Sequence, residues 1–283
     1  MTLPATVNTA THFGLERELG SITPGRRADI IFTSDLETLP IDYVIARGNT
    51  VAINGDIKTE CPHLSWPKNV RETVNMGIEK KPEDFLITAP EEMSRADVRV
   101  IGVVENQAPT KELNASLPVR NGVICGEGEV CQVALVERHQ ATGVVTNAFV
   151  SGFGYKGDMA VASTVAHDSH HMIVVGTCHK NMALAANRLA KVGGGVTVWK
   201  GGEELALVEL PIAGLMSDAA ASTVAAKADN MVKAMAECGC SLNNAYMQHS
   251  LLALVVIPEL RISDLGLVDV KKFEITSVLR GIG

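Results

Sequence analysis

The stretch Thr164–Gly176 reads T-V-A-H-D-S-H-H-M-I-V-V-G and carries three histidines and one aspartate within five residues. Apolar runs at 159–165 and 172–175 lie on either side of it, and each run is typical of a buried strand. The polar cluster therefore lies where one strand ends and the chain turns toward the next. Imidazole and carboxylate groups bind divalent metals and transfer protons near neutral pH. The candidate ligands in this stretch are His167, Asp168, His170 and His171.

A second polar pair, Glu137 and His139, closes the neighbouring strand at V-E-R-H. Alternation along an extended chain puts both side chains on the same side. If the two strands pair, Glu137 and His139 face the histidine stretch. The six residues together then form either an accessory metal site or a polar turn whose histidines hydrogen-bond to backbone carbonyl groups.

The chain beyond residue 96 alternates between strand and helix patterns, which predicts a layered α/β domain of the mixed α+β type. A helix is expected at 182–192, ended by Gly193-Gly194-Gly195, and a longer helix is expected from cap candidates Ser217 and Asp218 to Gly239. The polar patch at 243–249 is interpreted as a hydrogen-bonded turn, and the alternative is a loop that contacts a ligand. Strands are expected at 98–104, 117–119, 123–125, 131–136, 144–150, 159–165, 172–175, 196–199 and 205–210.

The first 60 residues have a different pattern. A strand is expected at 28–33, and a hairpin at 43–47 and 50–53 around Gly48-Asn49. Residues 61–95 contain four prolines, which favours a linker with one short helix near 70–79. The expected domains are therefore a closing β segment at 1–60, a linker at 61–95 and an α/β domain at 96–283.

Composition limits the class of protein. Of the 283 residues, 46% are hydrophobic and 20% are charged, and the net charge is −7. A dense basic patch is absent from the sequence, which argues against nucleic acid as a partner. We find no signal-peptide pattern and no apolar run long enough for a membrane span. The six cysteines lack C-x-x-C spacing, so a cytoplasmic protein with reduced thiols is expected.

Two groups of motifs resemble known families. G-S-I-T-P-G-R-R-A-D-I-I-F (Gly20–Phe32) and V-I-A-R-G-N-T-V-A-I-N-G (Val44–Gly55) resemble the closing β segment of the amidohydrolase superfamily, where a β-sandwich packs beside a catalytic barrel. The remaining motifs resemble the C-terminal domain of the bacterial adenine deaminase family; they are V-E-R-H (136–139), A-H-D-S-H-H (166–171), A-A-N-R-L-A (185–190), P-I-A-G-L-M-S-D (211–218) and V-I-P-E-L (256–260).

The resemblance implies hydrolysis of adenine to hypoxanthine and ammonia in purine salvage. It also implies a dinuclear manganese or iron centre in the full-length family and assembly as a homo-oligomer. The metal ligands of that family include an H-x-H pair on a barrel strand, and this sequence contains no H-x-H. No catalytic residue of the barrel can therefore be assigned to a position in this chain.

We expect this chain to be a C-terminal fragment or subunit that lacks the catalytic barrel, is inactive alone and needs a barrel domain or subunit as its partner. The alternative is a non-catalytic module for oligomerisation, capping or accessory metal binding. The H-x-E…P-C-x-x-C pattern of zinc-dependent nucleoside deaminases is also absent, so that chemistry is not expected.

Overall fold

The chain divides into two compact units, Met1–Ser65 and Trp66–Gly283. The structure is a computed structural model and describes residues 3–60, 64–90 and 92–280. Residues 66–94, where the sequence predicts most of a linker, belong to the second unit. There Met76 and Phe85 are buried within the core.

The first unit consists of short helices and one antiparallel sheet, in the order β1-β2-β3-β4. The predicted hairpin is confirmed, because Ala46 pairs with Asn49 across a turn in which Arg47 and Gly48 both have positive φ. The elements are a 3₁₀ turn at Leu3–Ala5, α1 (Val7–His12), β1 (Ile30–Phe32), β2 (Tyr43–Ala46), β3 (Asn49–Ile53) and β4 (Asp56–Ile57).

The second unit is built on a sheet of nine strands, which confirms the mixed α/β class. The strand order is β13-β12-β10-β11-β8-β9-β5-β6-β7, and all neighbours are antiparallel except β5 and β9. Its strands are β5 (Arg95–Gly102), β6 (Lys111–Arg120), β7 (Val123–Ile124), β8 (Val130–Val136), β9 (Val145–Ser151), β10 (Met159–Ser163), β11 (Met172–Gly176), β12 (Gly195–Lys200) and β13 (Glu203–Glu209).

Helices and a small second sheet cover the two faces of this nine-stranded sheet. The helices are α2 (Lys68–Arg71), a 3₁₀ turn at Pro82–Phe85, α3 (His179–Val192), α4 (Ala221–Glu237) and α5 (Ala245–Leu251). The three-stranded sheet consists of β14 (Leu260–Ser263), β15 (Gly266–Asp269) and β16 (Glu274–Thr276). None of the described helices is long and apolar enough to cross a membrane.

Alternation along the central strands separates two cores. In β10, Ala160 packs with Met182 and Leu189 of α3, whereas Val161 packs on the opposite face with Met231 of α4 and with β14. Successive side chains of a strand point to opposite faces. The apolar runs are therefore continuous because both faces of these strands are covered.

Three local predictions are wrong. The helix expected near 70–79 is a single turn, Lys68–Arg71, because the backbone beyond it forms other hydrogen bonds: the Asn75 N–H donates to the Arg138 carbonyl, and Lys80 bonds to α3. The N–H of Lys80 donates to Asn187, whose side-chain amide donates back to the Lys80 carbonyl at 2.8 Å.

The long helix begins at Ala221, after the cap candidates. Asp218 instead forms an ion pair with Arg71, with Nη1 and Oδ2 2.7 Å apart. In the patch at 243–249, residues 243 and 244 form a turn as expected, but residues 245–249 belong to helix α5.

Candidate functional site

The two histidine-bearing loops lie side by side at one end of the large sheet. Residues 137–144 connect β8 to β9, and residues 164–171 connect β10 to β11. In the sheet register Val136 pairs with both Met172 and Val145, so the loops leave the sheet as neighbours. We call these two loops the histidine turns.

Glu137 is the anion that organises the first histidine turn. Its carboxylate accepts hydrogen bonds from the backbone N–H groups of His139, Gln140 and Thr142 and from the Thr142 hydroxyl. Burial raises the pKa of Glu137, but these four donors lower it by more, and the pKa falls to about 2. Both carboxylate oxygens are therefore engaged within their own loop.

His171 lies between two carboxylates. It is 8% exposed, with Nδ1 3.9 Å from Glu137 Oε1 and Nε2 3.8 Å from Asp264 Oδ2. Burial lowers the pKa of His171, and the nearby Asp264 and Glu137 only partly oppose this effect. His171 is therefore neutral near pH 7, and its buried Nδ1 has no hydrogen-bond partner among the described residues.

The remaining members of the cluster separate into two groups. The His139 ring lies 4.8 Å from that of His171, and His139 Nε2 lies 2.8 Å from the Ser169 carbonyl oxygen. The rings of His167 and His170 lie 5.4 Å apart in an edge-on arrangement. Asp168 is exposed. The structure therefore brings Glu137, His139 and His171 together and places His167 beside His170 as a second pair.

Arg138 lies in the first histidine turn and links it to the second through hydrogen bonds of its side chain. The sequence did not indicate this role. It is 1% exposed, and its guanidinium donates to the backbone carbonyls of His170, Thr73 and Ala213. Burial lowers the pKa of Arg138 to about 10, so it remains a cation at neutral pH. A Cβ atom on Gly214, where φ is +69°, would lie 2.9 Å from this guanidinium.

We tested whether these residues fit the dinuclear metal centre that the resemblance implies. Within residues 3–60, 64–90 and 92–280, no group of three or more His, Cys, Asp or Glu side chains is arranged to hold a metal ion. Glu137 is the best placed carboxylate of the cluster, but its oxygens already accept hydrogen bonds from four donors and are not free to bind a metal. The dinuclear centre therefore does not fit the residues described here. Accessory metal binding by the histidine turns stays a prediction.

Another histidine, His249 of α5, is fully buried in the core. Its Nε2 shares a hydrogen bond of 2.7 Å with the Tyr155 hydroxyl, and Phe153 packs against its ring. Burial lowers the pKa of His249 to about 3 and raises the pKa of Tyr155 well above its usual value. Both groups are neutral at physiological pH, so we assign the pair a role in the packing of the core. The cysteines at 125, 131, 178, 238 and 240 are free, and Cys61 lies outside the described residues.

Comparison with known proteins finds two matching families and several similar proteins. Residues 107–274 match the model of the adenine deaminase C-terminal domain, and residues 4–51 match that of the amidohydrolase family. The chain is 72% identical over 270 residues to an adenine deaminase of Ruegeria sp. (strain TM1040), covering 95% of this chain and 45% of that protein. It is 43% identical over 278 residues to the adenine deaminase of Moorella thermoacetica, covering 98% of this chain and 46% of that protein.

A third relative, the adenine deaminase of Paracoccus denitrificans, is 64% identical over 275 residues, which cover 97% of this chain and 46% of that protein. The chain thus spans about half the length of the curated relatives it matches.

Proposed function

Because the chain belongs to the adenine deaminase C-terminal domain family, we propose that it acts as the C-terminal part of an enzyme that hydrolyses adenine to hypoxanthine and ammonia. The observation that carries this proposal is the identity of 69–72% over nearly the whole chain to three adenine deaminases. The reaction is a purine-salvage step. It exchanges an amino group for a hydroxyl group from water.

Under this proposal, residues outside the 283 described by the sequence activate the water. The full-length family implies a divalent metal for that step, and manganese or iron is the specific choice that we propose. No described group in this chain is arranged to hold such an ion. We therefore assign no proton transfer or nucleophilic role in the reaction to Glu137, His139 or the histidines at 167, 170 and 171.

The first unit supports the proposal through its exposed apolar side chains. Ile31 and Phe32 of β1 are 62% and 48% exposed, and Ile57 of β4 is 67% exposed. Ala10 is the one hydrophobic residue of its described part that is buried. Apolar surface of this kind is stabilised when it is covered, by about 25 cal/mol per Å². Since residues 4–51 match the amidohydrolase family, we propose that an amidohydrolase domain covers this surface.

Reconstitution tests the proposal directly. The chain is co-expressed with the part of the Ruegeria sp. (strain TM1040) enzyme that this chain does not match, in a host without its own adenine deaminase and with Mn²⁺ in the medium. We expect a complex that releases ammonia from adenine, whereas either piece alone does not. A soluble complex without turnover at any metal loading would contradict the proposal.

A pair of substitutions tests whether the exposed apolar side chains of the first unit form the interface with the other piece. We expect Ile31→Asp to weaken co-purification of the two pieces, because it places a charge on the apolar face of β1. Thr50→Asp adds the same charge at an exposed, already polar position of β3 and serves as the control. If both variants co-purify equally well, this surface is not the interface.

A further inference from the structure

A cavity of about 670 Å³ lies between α4 and the large sheet, within the second unit. Val196 and Val208 of β12 and β13 form one wall, and Val224, Met231 and Met235 of α4 form the opposite wall. The segment that follows α4 closes one end. Sites for small molecules typically enclose about 300–1,000 Å³ with mostly apolar walls, so this cavity has the size and surface of a ligand site.

The cavity exists because only one half of α4 has side chains that are fully buried against the core. Its buried residues are Met231, Ala234 and Met235, all in the C-terminal half. The N-terminal half is held instead by an ion pair between Lys227 and Glu209 at the end of β13. The helix is therefore anchored at both ends of a gap that its own side chains do not fill.

The chemistry of the lining favours an uncharged ligand. No charged side chain among the described residues lines the cavity, and a charge moved into such a site without a partner is strongly disfavoured. The polar groups are gathered at one end, where the segment after α4 carries Asn243 and Asn244. Both residues are exposed, so their carboxamides lie at the open end of the cavity, and neither carboxamide makes a hydrogen bond to other described residues.

We propose that this cavity binds an uncharged, largely apolar small molecule with one polar edge. The apolar body packs against the valine and methionine side chains, and the polar edge hydrogen-bonds to Asn243 and Asn244. A carboxamide offers one acceptor and two donors, so it matches an edge that carries both, such as an amide or an amine. This site is separate from the histidine turns and does not depend on the function proposed above.

A matched pair of fluorescent probes tests the prediction that the ligand is uncharged. N-phenyl-1-naphthylamine is neutral, and 8-anilinonaphthalene-1-sulfonate has the same aromatic body with a negative charge. We expect the neutral probe to bind the full chain at one site at least tenfold more tightly than the sulfonate. Equal affinity for the two probes would overturn the proposal.

Two tryptophan substitutions on α4 locate the binding site. Ala228 lines the mouth of the cavity, whereas Ala226 is exposed and does not line it. We expect Ala228→Trp to weaken binding of the neutral probe at least tenfold and Ala226→Trp to leave it within twofold. Because the first unit also exposes apolar side chains, the informative quantity is the difference between these two variants. Similar affinity in both would overturn the proposal.

The carboxamides are tested by the double variant Asn243→Ala/Asn244→Ala. We expect it to weaken binding of the neutral probe about threefold to tenfold, which corresponds to the loss of one or two hydrogen bonds. Thermal unfolding followed by circular dichroism verifies that each variant is folded. A folded double variant with unchanged affinity would contradict the assigned polar edge.

Discussion

The two main sheets of this chain use similar residues but bury them very differently. Every residue of β10 and β11 is buried, whereas no residue of β1, β2, β3 or β4 is. Valine and isoleucine occur in both sheets. The large sheet is covered on one face by α3 and on the other by α4 and β14, and in the small sheet Ile31 and Ile57 remain largely exposed.

This difference separates two sources of stability. The hydrophobic effect is proportional to the apolar area removed from water, so the large sheet gains most of its stability from its own unit. The small sheet gains little in this way from the residues described here. Its strand pairing sets its shape, and a covering surface is needed to stabilise it.

The largest effect is expected from placing the same charge in each sheet. Ile173 in β11 is fully buried, so Ile173→Asp would bury an unpaired carboxylate and destabilise the second unit by more than about 4 kcal/mol. The matched change Ile31→Asp, at an exposed position in β1, should alter the unfolding free energy of the first unit by less than about 0.5 kcal/mol. Urea unfolding followed by circular dichroism measures both. Equal effects would remove the distinction between the sheets.

The next effect concerns the buried guanidinium of Arg138. Arg138→Met leaves three backbone carbonyls without their donor, and we expect a loss of about 3 kcal/mol or more in the unfolding free energy. Arg188 lies on α3 and pairs with Glu204 near the surface. We therefore expect Arg188→Met to cost less than about 1 kcal/mol. The same urea titrations provide the comparison, and similar losses would show that Arg138 does not join the histidine turns.

A pH-dependent effect follows from Glu137. Its pKa is lowered from 4.5 to about 2 in the folded chain, so its contribution is fully present above about pH 4.5 and is lost as the pH falls toward 2. We expect Glu137→Gln to destabilise the second unit by about 3 kcal/mol at pH 7, because it removes the carboxylate whose pKa the fold lowers from 4.5 to about 2. The difference from the unsubstituted chain should disappear near pH 2. Glu203→Gln, at an exposed glutamate, is the control variant, and an equal loss of stability there at pH 7 would contradict the prediction.

The smallest effect is expected from added metal. The sequence predicts accessory metal binding at the histidine turns, but Glu137 is already engaged by four donors. We therefore expect Mn²⁺ or Zn²⁺ to change the unfolding free energy by less than about 1 kcal/mol. A site occupied at a hundredfold excess over its Kd would add about 2.7 kcal/mol. Stabilisation of that size, lost in His167→Ala/His170→Ala, would establish the site and show that a ligand as well as packing stabilises the large sheet.

The strands of the large sheet could be predicted because their signal is local. Runs such as 131–136 and 172–175 are apolar and β-branched, and both faces of these strands are covered, so the bounds differ by only one residue from β8 and β11. The helix exit at Gly193 was predictable for a similar reason, since the left-handed conformation at φ +81° favours glycine.

The features that could not be predicted depend on contacts between distant residues. Asp218 is a good helix cap by type, but its partner Arg71 lies 147 positions away. Asp264 approaches His171 from the β14–β15 turn, and no local pattern marks it as part of the cluster. Residues 245–249 of the polar patch lie in helix α5, and there His249 hydrogen-bonds to Tyr155, which lies 94 positions earlier in the chain.

The close approach of Gly214 to Arg138 has a consequence for related sequences. The guanidinium occupies the space where any larger side chain at position 214 would place its first carbon, so the two positions share one volume. Where a homologue carries alanine or a larger residue at 214, a shorter side chain should replace arginine at 138. The two sites are then expected to co-vary across the family although 76 positions separate them.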